Sequence, residues 1–277
     1  MKVIRSASQL RRQLDIERAA GRSIAFVPTM GALHEGHLSL VRSAREAAEV
    51  VVVSIFVNPL QFGPREDFDA YPRDEDGDRR AAEGAGTDVL FVPPVEEIYP
   101  AGDSTIVSVG GLGTVLEGED RPGHFDGVCT VVAKLFNLVA PDVAIFGQKD
   151  AQQVAVVKRM VEDLRFPVQI AGAATVREAD GLALSSRNRY LTAAERKQAT
   201  ALYEALRLGA RLASDEDLEV VEKNMWDLIA ERGLQPSYAR VVDPDTFAPA
   251  SADGPKLLVV AALLGKTRLI DNLLIHG

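Results

Sequence analysis

Ile24-Ala25-Phe26-Val27-Pro28-Thr29-Met30-Gly31-Ala32-Leu33-His34-Glu35-Gly36-His37-Leu38-Ser39-Leu40 is the stretch on which the fold reading turns. Ile24 to Val27 is short, apolar and β-branched enough for a buried strand, and Pro28-Thr29-Met30-Gly31 ends it. A helical pattern follows from about Gly36 to Glu49. The same unit then recurs. Val50 to Val57 reads as a strand closed by Asn58-Pro59, and Val89 to Val92 as one cut by Pro93-Pro94. Beyond a glycine-rich region from Gly102 to Gly127, a helical run (Val128 to Val139) leads to Val143–Phe146. A helix from about Ala151 to Asp163 then leads to a strand near Val168–Ile170. Short strands alternating with helices predict an α/β fold, a doubly wound parallel sheet covered by helices.

The pattern changes near Thr175. Thr192-Ala193-Ala194-Glu195 is a capping box opening a helix to about Ala213, and Ser214-Asp215-Glu216-Asp217 starts another. Leu218, Val221, Met225 and Leu228 form one apolar stripe in it, and Gly233 ends it. Strand-like runs at Tyr238–Val242, Lys256–Leu264 and Arg268–Ile275 complete a smaller α+β domain. The expected division is 1–175 and 176–277, which suits a chain of 277 residues.

Composition narrows the function. The 31 Lys plus Arg against 40 Asp plus Glu leave a formal charge of −9, which disfavours a nucleic-acid or anionic-membrane binder. An anionic ligand then needs a local pocket. A single cysteine, Cys129, permits no intrachain disulfide and suits a reducing cytoplasm. Met1 to Arg22 carries charges throughout, and the longest apolar runs are about eight residues, strand length, against the roughly 20 of a membrane span.

In open parallel sheets ligands bind at the carboxyl ends of strands, and a helix N-terminus attracts phosphate. The loop after Ile24–Val27 has both features. Gly31 and Gly36 let backbone approach a nucleotide, and His34 and His37, three apart, would donate to phosphate oxygens from one side of the first turn. The plainer alternative is that the histidines cap the helix. Three further segments follow strand ends or turns. Gln61, just past the second strand, has an amide suited to a hydroxyl-bearing carboxylate, or is a surface-loop residue. In Gly147-Gln148-Lys149-Asp150, Lys149 would offset phosphate charge and Asp150 accept from ribose, or Asp150 is an N-cap beside a solvated lysine. Gln153 would face the same side of that helix. Leu184-Ser185-Ser186-Arg187-Asn188 offers two hydroxyls and a guanidinium to a triphosphate, or is an interdomain turn.

The His-x-Gly-His run resembles the HIGH signature of the nucleotidyltransferase superfamily. With Ser54-Ile55-Phe56-Val57-Asn58-Pro59-Leu60-Gln61-Phe62, Gly147-Gln148-Lys149-Asp150, Gln152-Gln153 and Arg177 to Asn188, the chain resembles the pantothenate synthetase (pantoate–β-alanine ligase) family throughout its length. That resemblance implies a Rossmann-like domain and ATP with Mg²⁺, the metal travelling on the ATP phosphates. It also implies a pantoyl-adenylate route to pantothenate, AMP and pyrophosphate, and a homodimer. The implied catalytic residues are His37, His34, Lys149 and Arg187. ATP contacts fall on Met30, Gly31, Ala32, Leu33, His34, Glu35, Gly36, His37, Gly147, Gln148, Lys149, Asp150, Val176, Leu184, Ser185, Ser186 and Arg187, with Val176 at the position whose backbone meets the adenine. Gln61 and Gln153 fall in the pantoate and β-alanine pocket. Arg187 stands where the synthetases' KMSKS loop has a lysine.

Several look-alikes fail. Gly265-Lys266-Thr267 lacks the earlier Walker A glycine, where Val260 stands, and Gly111-x-Gly113 lacks the third fingerprint glycine. Zinc at His34 and His37 lacks a third local ligand. Cys129 reads as core, and His124 has no assigned role. The competing functions are a dinucleotide-forming nucleotidyltransferase and a non-catalytic nucleotide-binding module. A tRNA synthetase is disfavoured by charge and length.

Overall fold

The computed structural model describes residues 1–64, 66–251 and 253–275. The chain divides into two compact units, Met1–Gln148 with Val156–Ala174, and Lys149–Ala155 with Thr175–Gly277.

The first unit contains β1 (Lys2–Ile4), α1 (Ala7–Ala19), β2 (Ile24–Thr29), α2 (Glu35–Ala47), β3 (Val50–Ile55), α3 (Glu75–Gly84), β4 (Val89–Phe91) and α4 (Val95–Ile98). Then come α5 (Glu117–Asp120), α6 (His124–Val139), β5 (Val143–Gly147), α7 (Ala151–Leu164), whose first turn lies in the second unit, and β6 (Gln169–Ala173). Its sheet has the order β1-β4-β3-β2-β5-β6 and every pairing is parallel. β2 pairs with β3 from Ile24↔Val50 to Thr29↔Ile55 and with β5 at Phe26↔Ala144. Successive side chains of a strand point to opposite faces. Ala25 and Val27 accordingly join Leu40, Val41 and Ala44 of α2 and Ala82 of α3 in one core, while Phe26 meets Phe136 of α6 edge-on at 6.4 Å. The doubly wound expectation holds.

The strand order reverses between β2 and β5, because β3 and β4 extend the sheet one way and β6 the other. This is the topological switch point, where loops diverge and leave a crevice at the strands' carboxyl ends.

Several features were not anticipated, the helix α3 among them. Lys2–Ile4 forms an edge strand against β4, and α1 follows, capped by Ser6. Only Leu10 and Leu14 of α1 are buried, too narrow an apolar stripe to stand out among its charges. The glycine-rich stretch also holds more helix than expected, since α6 starts at His124, four residues before Val128.

The second unit contains α8 (Ala193–Gln198), α9 (Ala201–Leu212), α10 (Leu218–Glu231), β7 (Gln235–Val242), β8 (Lys256–Leu264) and β9 (Thr267–Ile275), the strands antiparallel in the order β7-β8-β9. The Thr192/Glu195 capping box is present. The single helix expected from it is two, because Thr200 Oγ1 donates to Lys197 O at 2.9 Å and Leu202 N reaches back only three residues to Ala199 O. A side chain competing for helix carbonyls has this local effect. Val221 and Met225 of the predicted stripe are buried with Leu206 of α9 and Leu258 and Val260 of β8. A Cβ on Gly209 would stand 2.6 Å from the Met225 sulfur of α10 and 2.7 Å from Leu258 Cδ2 of β8, so any larger residue here would force those side chains to shift.

Leu206→Ala should lower the unfolding free energy by about 2–5 kcal/mol, the usual cost of emptying a closed aliphatic site. Urea denaturation measures it, and a loss below about 1 kcal/mol would place Leu206 outside the core.

Candidate active site

In the first unit the His-x-Gly-His segment is a rigid loop at the carboxyl end of β2. Gly31 (φ +84°) and Ala32 (φ +51°) both take left-handed backbone, which aims successive N–H groups inward. Asp78 of α3 receives them: Ala32 N donates to Oδ2 at 2.8 Å and Leu33 N to Oδ1 at 2.7 Å. Gly31 N donates to Thr29 Oγ1, which donates to Ser54 O on β3. A Cβ on Gly31 would fall 2.8 Å from Asp78 Oδ2, so glycine is a steric as well as a conformational requirement.

His34 is the N-cap of α2, not a member of its first turn. Its Nδ1 accepts from Gly36 N at 3.1 Å, and His37 Nδ1 accepts from His34 N at 3.4 Å, a reciprocal capping box built from two imidazoles. Backbone N–H groups only donate, so both Nδ1 atoms are acceptors and the ring proton of each neutral imidazole sits on Nε2. The ring centroids lie 4.1 Å apart with the planes tilted by 40°. Capping and presenting an Nε2–H at a helix N-terminus are thus compatible in one arrangement.

Gln61 is buried, which removes the surface-loop reading. It closes the 3-10 turn Pro59–Gln61 after β3, and α6 lies so close that a Cβ on Gly127 would meet Leu60 O at 2.4 Å. Its Oε1 accepts from Asn58 Nδ2 at 3.1 Å and its Nε2 lies 3.0 Å from the sulfur of Met30, bringing two of the expected site residues together. Its carbonyl accepts from His124 Nδ1 at 2.8 Å. His124 Nε2 lies 3.0 Å from Arg121 Nη1, and Arg121 forks onto Glu66 at 3.0 and 2.6 Å. Burial, then the positive charge of Arg121, push His124 down to about 4, against the opposing pull of the Gln61 carbonyl, Glu66 and Glu117.

In the second unit Lys149 lies 3.8 Å from Asp150, and its carbonyl accepts from Asn272 Nδ2 of β9 at 2.8 Å. Val176 O accepts from Leu184 N at 3.0 Å across a short hairpin, turned at Gly181 (φ +96°), where a Cβ would strike the Tyr203 ring. Arg177 anchors this hairpin. It forks onto Asp271 at 2.6 and 2.9 Å, donates to Gly181 O and Asn272 O, and covers Tyr203 at 4.2 Å. Burial pushes the Asp271 carboxyl above its ordinary range, opposed by Arg177, the Asn272 N–H and Lys149. Ser185 caps the following turn by accepting from Arg187 N, Ser186 is buried, and Asn188 Nδ2 donates to Ala183 O. Gln153 lies on the first turn of α7, on the second unit's side of the division. Among the described residues no group of three or more His, Cys, Asp or Glu is arranged to hold a metal, and no helix is long and apolar enough to cross a membrane.

A family model described as pantoate–β-alanine ligase matches residues 2–274. The chain belongs to the pantoate–β-alanine ligase family. It is 52% identical to a pantothenate synthetase of Moorella thermoacetica over all of this chain and 99% of that one. It is 51% identical to that of Listeria monocytogenes at the same coverage. Among solved structures, pantothenate synthetase from Thermus thermophilus superposes with a TM-score of 0.94 at 47% identity, covering 99% of each chain. A pantoate–β-alanine ligase from Francisella tularensis, complexed with β-γ ATP and β-alanine, gives 0.84 at 35% identity, covering 99% of this chain and 97% of that one. Membership agrees with the sequence resemblance and with the parallel sheet.

Sequence reasoning missed Asp78, Arg121, Asn58, Asp271 and Asn272 as supports of this ligase framework. Each acts across tens of residues on a backbone group or a side chain, and no local spacing marks that.

His124 yields a stability test. The unfolded imidazole, near 6.5, binds its proton before the folded one does at about 4, so stability is complete above about pH 6.5 and falls as pH drops toward 4. The loss is about 3 kcal/mol. Urea unfolding of wild type and His124→Gln should show a gap that narrows between pH 7 and 4.5. A gap independent of pH would mean that His124 is not held neutral.

Proposed function

We propose that the chain condenses pantoate with β-alanine at the expense of ATP, giving pantothenate, AMP and pyrophosphate. The observation that carries the reading is the imidazole capping box at the sheet's switch point, in a chain that matches the ligase family from residue 2 to 274. A pair of Nε2–H donors at a positive helix end suits phosphate oxygens that gain charge during displacement.

In the first step a pantoate carboxylate oxygen attacks the α-phosphorus of ATP, and the bond to the β-phosphate oxygen breaks. Pyrophosphate departs and pantoyl adenylate remains. In the second step the β-alanine amine attacks the acyl carbon, the acyl–oxygen bond to AMP breaks, and the amine loses its proton. Such chemistry is carried largely by positioning and charge stabilisation. His34, His37, Lys149 and Arg187 are assigned to the phosphates, with Ser185 and Ser186. Met30 to Leu33, Glu35, Gly36, Gly147, Gln148, Asp150, Val176 and Leu184 are assigned to the rest of the nucleotide, and Gln61 and Gln153 to pantoate. Neutral amides suit that last task. An arginine would pair with the carboxylate and blunt its attack, whereas an amide orients it and leaves it nucleophilic.

Mg²⁺ is assigned to the ATP phosphates, since it prefers phosphate oxygens and water with one or two carboxylates to an all-protein cage. When bound there it offsets phosphate charge. A homodimer in the cytoplasm completes the proposal, supported by the family resemblance and, for the compartment, by the single buried Cys129.

Because the carboxylate is activated first, exchange of labelled pyrophosphate into ATP should require pantoate and not β-alanine. Exchange that demands β-alanine, or ADP as product, overturns the adenylate route.

His37→Ala should slow adenylate formation by about 10²-fold or more, the scale of losing one preorganised donor. Single-turnover AMP formation measures it. Near-normal turnover would reduce His37 to a helix cap.

A further inference from the structure

Asn58 is almost fully buried, and all of its hydrogen-bonding capacity is used. Its Nδ2 donates to Gly127 O at 3.0 Å and to Gln61 Oε1 at 3.1 Å. Its Oδ1 accepts from Leu60 N at 3.3 Å and from the Tyr99 hydroxyl at 2.8 Å. Two of these partners are backbone groups, a carbonyl that only accepts and an N–H that only donates, so the amide can face only one way. The polarity then propagates. Tyr99 must donate, and the Gln61 atom facing Asn58 Nδ2 must be its oxygen. The Gln61 nitrogen is thereby turned toward the Met30 sulfur.

We infer that Tyr99 is a positioning residue for the substrate pocket: its hydroxyl holds in place the Asn58 amide, whose backbone-set polarity keeps the Gln61 Nε2–H groups on the Met30 side, so that this position presents a donor to a lone-pair oxygen of the substrate. The inference rests on the assignment of Gln61 to pantoate and sharpens it, since a free glutamine amide offers a donor or an acceptor equally. Pantoate supplies fitting oxygens in its carboxylate and hydroxyls. Burial and the neighbouring charge of Asp103 push the Tyr99 hydroxyl well above its ordinary range, so it keeps its proton wherever the enzyme works. The Tyr99 ring has its own supports, Phe56 at 6.1 Å and the Lys134 ammonium at 5.2 Å. Tyr99→Phe therefore removes the hydroxyl and leaves the packing.

The test is a double-mutant cycle on steady-state kinetics. Tyr99→Phe should raise the KM for pantoate about three- to tenfold, the effect of leaving one buried acceptor short of a donor, with kcat and ATP affinity within about twofold of wild type. Gln61→Ala should raise it further. Adding Tyr99→Phe to Gln61→Ala should then change it little, because the relay has nothing left to orient. Thermal midpoints of all variants separate this from a general loss of structure, which would lower activity toward every substrate alike. If Gln61→Ala raises the pantoate KM but Tyr99→Phe leaves it unchanged, or if the two effects simply multiply, the relay is overturned and the pocket assignment stands. If Gln61→Ala leaves the pantoate KM unchanged, the pocket assignment falls and the relay with it.

Discussion

Strand β2 is hydrogen-bonded on both sides, to β3 and β5, and covered on both faces, by α2 and α3 on one and α6 on the other. A strand in that position has no freedom of register, because a slip of one residue would exchange Ala25 and Val27 for Phe26 in two differently shaped cores. Its carboxyl end is therefore fixed to within a side-chain contact. The loop that follows inherits that precision. Thr29 bonds sideways to Ser54 O and forwards to Gly31 N, so the turn into α2 begins from atoms already immobilised by the sheet.

What the sheet delivers, buried polar groups then aim. Asp78 gives both carboxylate oxygens to the loop's N–H groups, and Asn58 gives four bonds to the turn after β3 and its neighbours. Such groups are costly to bury when unpaired and add rigidity when fully paired. Gln61 is held from two directions, its amide by Asn58 and its carbonyl by His124, which Arg121 and Glu66 hold in turn. A flexible glutamine becomes a directional donor because its neighbours have no alternative arrangement.

The sequence was most legible where the signal is local. The apolar runs that hold β2, β3 and β8 stand out by composition, although β3 stops at Ile55 and not at the expected Val57, and the capping box at Thr192 stands out by spacing. Parallel order also followed, since strands joined through helices leave few other topologies. Legibility failed where structure depends on distant partners. β1 is three residues long and exists because β4 offers it an edge, and α1 buries only two leucines. The break at Ala199–Thr200 depends on one hydroxyl choosing a carbonyl. In the candidate site, glycines and histidines marked the loop after β2, but the residue closing it, Asp78, is one acid among several at the start of α3.

The second unit reaches the same end by another route. Asp271 and Asn272 are adjacent in β9, and adjacent strand residues face opposite sides of a sheet. Asp271 pairs with the Arg177 fork, while the Asn272 side chain reaches Lys149 O and its carbonyl accepts from Arg177. One dipeptide thus ties two segments lying far apart in sequence, the residues leaving β5 and the hairpin that carries Ser185, Ser186 and Arg187. An ion pair removed from water is weak evidence for stability, because desolvation offsets much of its attraction. Its geometry is stronger evidence for position. Arg177 meets Asp271 with two parallel bonds and lies over Tyr203, which lysine could not reproduce. Asp271 and Asn272 are therefore better read as the residues that set where the two segments stand than as contributors to the stability of the sheet that bears them.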